Sequence, residues 1–165
     1  MRGCAVAEGI AFRLNGRPVE VSALETTPLL DILRNQLDLK GTRYGCGLEQ
    51  CGSCMVLLDG EPIYACSREI GTIAGRSITT IEGLGSRERL HPLQAALLEE
   101  QAGQCGYCLS GIVISAKALL DRNPSPTRAE IAEALDRNLC RCGAHPRILR
   151  AVEKAAAVMR EGGVG

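Results

Sequence analysis

The sequence predicts an α+β chain: a small β-rich domain over residues 10–84, followed by a four-helix bundle domain over residues 91–160. Three observations carry that reading. Up to residue 84 apolar residues recur with a period of two around two tight-turn signals; from His91 onward they recur with a period of 3.6; and Gly83 to Arg89, between the two patterns, is rich in glycine and charge.

Ala11-Phe12-Arg13-Leu14 and Pro18-Val19-Glu20-Val21 alternate apolar and polar residues about Asn15-Gly16, the strongest short hairpin signal because both residues tolerate φ > 0. Met55 to Leu58 and Pro62 to Ala65 flank Asp59-Gly60 in the same way, and Ser77 to Ile81 supplies a further β-branched strand. Between the hairpins one helix is expected. Thr26 or Thr27 can cap it, Pro28 suits its first turn, and Leu29, Leu30, Leu33 and Leu37 form its apolar stripe. Two hairpins around one helix make a β-grasp.

Four apolar stripes follow. Leu93, Ala96 and Leu97 make the first; Leu109, Ile112, Val113, Ala116 and Leu120 the second; Ile131 and Leu135 the third; Ile148, Val152, Ala155 and Met159 the fourth. Thr127 with Glu130 has the form of a capping box, and Pro146 suits the opening of the last helix. His91, before Pro92, reads as a structural residue at the first helix start. Glu99-Glu100 and Arg160-Glu161 read as solvated faces, and Gly162 to Gly165 as a disordered tail.

Composition narrows the function. Phe12, Tyr44, Tyr64 and Tyr107 are the only aromatics among 165 residues, so small aliphatic packing and bound metal must supply more of the stability. Lys+Arg and Asp+Glu both total 19, which leaves no basic field for a phosphate backbone and excludes nucleic acid. No stretch approaches 18 apolar residues and no signal peptide opens the chain, so the expectation is a cytoplasmic protein with no direct membrane insertion. In a reducing compartment, cysteines at C-x2-C spacing point to metal rather than disulfides.

Eight of the nine cysteines form two quartets, Cys46-x4-Cys51-x2-Cys54-x11-Cys66 and Cys105-x2-Cys108-x31-Cys140-x-Cys142. The first three match the C-x4-C-x2-C run of plant-type ferredoxins, whose thiolates hold a [2Fe–2S] cluster, and the loop's glycines allow N–H groups to turn toward an anionic core. The second quartet lies on two loops that lead toward helix N-termini, where unpaired N–H groups offset negative charge, an arrangement that suggests a pseudo-twofold. Zinc is the competing occupant of either quartet. Cys4 belongs to neither and reads as a spare thiol near the terminus.

The runs Gly45-Cys46-Gly47…Gln50-Cys51-Gly52-Ser53-Cys54, Gln104-Cys105-Gly106-Tyr107-Cys108 and Asn138-Leu139-Cys140-Arg141-Cys142 resemble the small iron–sulfur subunit of the molybdenum hydroxylases, the xanthine dehydrogenase and aldehyde oxidoreductase family. The likeness spans about residues 10 to 160. It implies a plant-type ferredoxin-like domain, two [2Fe–2S] clusters, and a large partner subunit that holds molybdopterin, as its cytosine dinucleotide, and hydroxylates the substrate. Electrons would pass first to the cluster of Cys105, Cys108, Cys140 and Cys142, then to the plant-type cluster, then to a flavin subunit or a cytochrome. Gln104 and Cys142 match positions that contact the pterin in the family.

Two departures are visible. Glu49 stands where many members have glycine, and Cys142-Gly143-Ala144-His145 is similar to the nicotinate dehydrogenase and isoquinoline oxidoreductase branch, whose members often pass electrons to cytochrome c domains. That branch implies an N-heteroaromatic or aldehyde substrate. His145 reads as a surface or subunit-contact residue rather than a metal ligand, Tyr107 as a shield or a space-filler, and Arg141 as a counter-charge or a solvated cation. A free-standing two-cluster electron carrier and a zinc-stabilised adaptor are the alternatives to the subunit reading.

Overall fold

The computed structural model describes residues 9–162. Cys4 and the glycines after residue 162 lie outside them; Gly162 itself ends the last helix rather than beginning a tail.

Strands β1 (Gly9–Leu14) and β2 (Arg17–Ser22) form the first hairpin, with Ile10 opposite Val21 and Phe12 opposite Val19. Asn15 and Gly16 turn it at φ 50° and 79°. The second hairpin joins β3 (Met55–Leu58) to β4 (Glu61–Tyr64) through Asp59 and Gly60, at φ 49° and 89°. β4 therefore runs one residue earlier than the pattern predicts. β5 (Ser77–Thr79) lies centrally, parallel to β1 and antiparallel to β3, in a mixed sheet of order β2-β1-β5-β3-β4. It stops short of the expected Ile81 because the Thr80 N–H turns to Asn15 Oδ1 at 2.9 Å instead of continuing the ladder.

The helix between the hairpins differs from expectation in two ways. Its start, α1 (Leu29–Asp31), carries no threonine cap: Pro28 occupies the cap position, and Leu29 N–H and Leu30 N–H donate to the carbonyls of Arg68 and Ala65 at 2.7 and 2.9 Å. Backbone acceptors of the segment after β4 do what a side chain does at most helix starts. The helix then widens into a π turn over Ile32–Gln36, with Leu37 N–H donating to Ile32 C=O at 3.1 Å. Ile32 thereby joins Leu29, Leu30 and Leu33 in the core, beside Val56, Ile78 and two residues of a 3-10 turn that the strand pattern does not reveal, Ile70 and Ile73.

The four later helices fall where the period of 3.6 places them: α2 (Pro92–Glu99), α3 (Leu109–Arg122), α4 (Arg128–Leu135) and α5 (His145–Gly162). His91 caps α2 by accepting the Leu93 N–H at Nδ1, 3.2 Å away, while Gln94 Oε1 accepts the His91 N–H. Thr127 and Glu130 make the reciprocal pair at α4. Pro146 is the second residue of α5, not the first. Leu93, Ile112, Ile131, Ile148 and Val152 form a shared core, with Ala96, Ala151 and Ala155 letting helix backbones approach. Glu99 and Glu100 are not simply solvated, since they pair with Lys154 and Arg150 of α5.

α3 lies on β3. All four residues of β3 are buried because Val56 and Leu58 face the β core while Met55 and Leu57 pack on Ile114 and Ala118 of α3. A Cβ on Gly111 would stand 1.9 Å from the Gly52 carbonyl oxygen, so only glycine lets α3 approach the first cysteine loop this closely. The β and helical elements thus meet beside both quartets.

Candidate metal centres

Three members of the first quartet, Cys46, Cys51 and Cys54, sit on the loop between the π turn and β3, and Cys66 follows β4. Backward turns at Gly47, Glu49 and Gly52, with φ between 57° and 69°, fold that loop tightly. Leu48 N–H and Gln50 N–H both donate to Cys46 Sγ at 3.3 Å, and Cys46 N–H donates to Cys51 Sγ at the same distance. These amides, Leu48 first, hold the Cys46 thiol at about 7, well below the ordinary cysteine range. Cys54 begins the second hairpin's ascent and Cys66 ends its return; Ala65 N–H donates to Cys54 C=O at 3.2 Å, which sets the two thiols side by side. Burial pushes Cys54 up to about 12.

The second quartet repeats that division. Cys108 occupies the N-cap of α3, and Cys140 and Cys142 precede α5. Cys105 Sγ and Cys142 Sγ lie 3.5 Å apart, while Cys108 meets Cys140. The Tyr107 N–H and the Cys142 thiol hold Cys105 below its ordinary range. Burial raises Cys140, but the N–H groups of Cys142 and Ala144 outweigh it. Cys108 is pushed up to about 12, by burial and then by Cys140.

Each quartet is therefore two pairs of thiols: Cys46 with Cys51 and Cys54 with Cys66; Cys105 with Cys142 and Cys108 with Cys140. Among the described residues no three Cys, His, Asp or Glu side chains converge as ligands of one metal ion. A tetrahedral zinc site needs its ligands around a single point. A binuclear iron–sulfur core needs two thiolates at each iron, and the paired arrangement fits that group. Cys54 and Cys108, poor thiolates alone, are the residues whose deprotonation most needs a bound cation.

The two centres touch through backbone. Leu139 N–H donates to Cys51 C=O at 2.9 Å, which joins a member of the first quartet to the residue before Cys140. Asn138 Nδ2 donates to Gly52 C=O at 3.3 Å, and Tyr107 donates through its hydroxyl to Tyr44 C=O, with Arg43 over the Tyr107 ring. Tyr107 is thus a bridge between loops. Sequence reasoning misses Asn138, Leu139 and Gly111 in this role; a lone glycine inside the apolar pattern of α3 is the one available signal.

Gln104 is exposed and donates from Nε2 to Cys142 C=O at 3.1 Å, so the two residues singled out for pterin contact lie together. Gln104 borders an open groove of about 590 Å³, lined in part by Leu90, Leu97, Leu98 and Leu109. His145 is exposed at the start of α5, near Cys140 but in neither thiol pair.

Residues 12–75 match the family of the 2Fe-2S iron-sulfur cluster binding domain, and residues 80–153 that of the [2Fe-2S] binding domain. The chain is 54% identical to one of the subunits of nicotinate dehydrogenase from Pseudomonas putida, over 92% of this chain and 97% of that one. It is 49% identical to the alpha chain of isoquinoline 1-oxidoreductase from Brevundimonas diminuta, over 89% and 97%. The crystal structure of quinoline 2-oxidoreductase from Pseudomonas putida superposes with a TM-score of 0.91 at 36% identity, covering 97% of this chain and 100% of that chain. Aldehyde oxidoreductase from Desulfovibrio desulfuricans gives 0.91 at 39% identity; 93% of this chain is covered but only 17% of that much longer one. Together with the two paired thiol quartets, these likenesses establish that the chain belongs to the molybdenum hydroxylase family, as one of its small iron–sulfur subunits.

Proposed function

We propose that this chain is the electron-transfer subunit of a molybdopterin-dependent hydroxylase or dehydrogenase. Electrons taken from substrate at the molybdenum centre of a large partner subunit leave over two [2Fe–2S] clusters to a cytochrome c domain or a flavin subunit. Cys46, Cys51, Cys54 and Cys66 hold one cluster on the unit of residues 10–84; Cys105, Cys108, Cys140 and Cys142 hold the other on the unit of residues 91–160. When bound, each such group accepts and releases a single electron at a time.

The observation that carries the reading is the hydrogen bond from Leu139 N–H to Cys51 C=O, because it ties a ligand of one quartet to the neighbour of a ligand in the other. Two independent storage sites have no need of such a link; a relay does. Gln104, hydrogen-bonded to Cys142, faces the apolar groove and offers its remaining amide atoms to the pterin, held mainly by the partner as a cytosine dinucleotide. Leu90, Leu98, Tyr107 and Leu139 are exposed beside the loops of the second quartet. So much apolar surface around one centre supports a subunit contact over a free-standing carrier.

The names of the relatives support an N-heteroaromatic compound or an aldehyde as substrate of the complex. We place the complex in the cytoplasm; among the described residues no helix is long and apolar enough to cross a membrane. The test is anaerobic addition of nicotinate, quinoline or an aldehyde to the purified complex, with cluster reduction followed by electron paramagnetic resonance. Reduction of both clusters by one of these supports the proposal. A stable chain purified without a molybdenum-containing partner, whose clusters none of them reduces, contradicts it.

A further inference from the structure

We propose that Glu49 and Ser67 form a strap across the solvent edge of the first cysteine quartet, and that this strap keeps the centre closed to water and chelators. The inference rests on the reading that Cys46, Cys51, Cys54 and Cys66 hold a [2Fe–2S] cluster.

The first observation is backbone conformation. Glu49 lies at φ 57°, the left-handed region where any residue but glycine is strained. The turn itself is required, because it aims the N–H groups on both sides of Glu49, from Leu48 and Gln50, at Cys46 Sγ. Glycine would meet that requirement without strain, as Gly47 and Gly52 do in the same loop. Strained conformations persist where the surroundings impose them and something is gained. Here the gain is the side chain.

The second observation says what the side chain does. Ser67 Oγ donates its hydrogen to Glu49 Oε1. Glu49 lies between Cys46 and Cys51, while Ser67 directly follows Cys66, so the bond joins the chain segments that carry the two thiol pairs. Among the described residues it is the only hydrogen bond between residues 46–51 and 66–69. The buried edge of the quartet is pinned differently, through Cys51 C=O and Gly52 C=O to Leu139 and Asn138. Leu48, Glu49, Gln50 and Ser67 are all exposed, so the strap lies at the solvent edge of the quartet. Opening the strap frees Leu48, Glu49 and Gln50 to move away from Ser67.

The test uses the full chain with both clusters in place and a ferrous-iron chelator added to the reduced protein. Loss of each signal is followed by electron paramagnetic resonance, with the signal of the second quartet as an internal control. Ser67→Ala and Glu49→Gly should lose the first signal roughly threefold to tenfold faster, the change expected for one ordinary hydrogen bond in an opening equilibrium. The control should not change. Glu49→Gln keeps an oxygen for Ser67 and should stay within about twofold of the unaltered chain. Glu49→Gly also relieves the left-handed strain, so its unfolding midpoint should not fall, which separates a strap from a general structural role.

Loss of the first signal at the unaltered rate in both Ser67→Ala and Glu49→Gly would overturn the strap while leaving the cluster assignment intact. Equal acceleration of both signals would overturn it too, as an effect on the whole fold. Absence of the first signal from the unaltered chain would overturn the ligand assignment, and the strap with it.

Discussion

Gly111→Ala is the change in which two physical effects oppose each other and the structure decides the sign. Gly111 is the third residue of α3, and alanine there improves helix propensity by up to about 1 kcal/mol where space allows. Space is lacking: the new Cβ would meet Gly52 O at 1.9 Å and Gly52 C at 2.9 Å, against 3.4 Å for ordinary contact. Closing that shortfall requires α3 and the Gly52 backbone to separate by about 1.5 Å. Neither side yields readily. Gly52 is held by Asn138 Nδ2, and α3 by the packing of its Ile114 and Ala118 on Met55 and Leu57 of β3. Overpacking of a closed core costs roughly 1–3 kcal/mol, which outweighs the propensity gain, and for a chain of this length each kcal/mol lowers the unfolding midpoint by about 2–4 °C. Circular dichroism of thermal unfolding measures the midpoint. Because the displaced residues adjoin Cys51, the magnetic interaction between the two reduced clusters, read by electron paramagnetic resonance, should weaken as well. A raised midpoint with an unchanged interaction would refute the close approach of α3 to the first cysteine loop.

Three further outcomes are expected. Cys51→Ser should abolish the plant-type signal while the signal of the second quartet survives, since the Cys51 carbonyl that bonds Leu139 is kept; loss of both from a folded variant would argue against separate sites. Gln104→Ala should lower molybdenum content or slow cluster reduction by substrate in the assembled complex, by about 1–3 kcal/mol for the lost contact, with iron content unchanged; unaltered molybdenum and rate would remove Gln104 from the cofactor contact. Burial and the Lys117 charge hold His91 below the ordinary value of 6.5, with Asp121 opposing, so the folded state favours the neutral imidazole that caps α2. Its stabilising contribution is then complete above pH 6.5 and fades as pH falls from there through the lower folded value, an acid dependence that unfolding scans should show and His91→Asn should flatten.

What can be read from the residues, and what cannot, follows from the range of the interactions. The eight thiols are visible because cluster chemistry demands a fixed residue type at close spacing. The four later helices are visible because periodicity and the Thr127–Glu130 cap are local. The capping of α1 is not, because its acceptors are the carbonyls of Ala65 and Arg68, distant in sequence and without a side-chain signature. The π turn at Ile32–Gln36 likewise leaves no mark in the apolar pattern. How the thiols pair is also hidden, since Cys105 finds Cys142 and Cys108 finds Cys140 only once α3 and α5 are packed. The joining of the two centres rests on the Leu139 N–H and the Cys51 C=O, backbone groups whose meeting no local pattern marks. Glu49 is the converse case: the sequence shows the residue, and only the structure shows its φ of 57° and its bond to Ser67.

The most direct test of the central claim is the metal content of the full chain together with the spectrum of its reduced form. The account predicts a brown protein with two irons and two acid-labile sulfides for each of its two [2Fe-2S] domains, and two distinguishable paramagnetic signals on reduction. A colourless chain carrying stoichiometric zinc, with no signal on reduction, would contradict it.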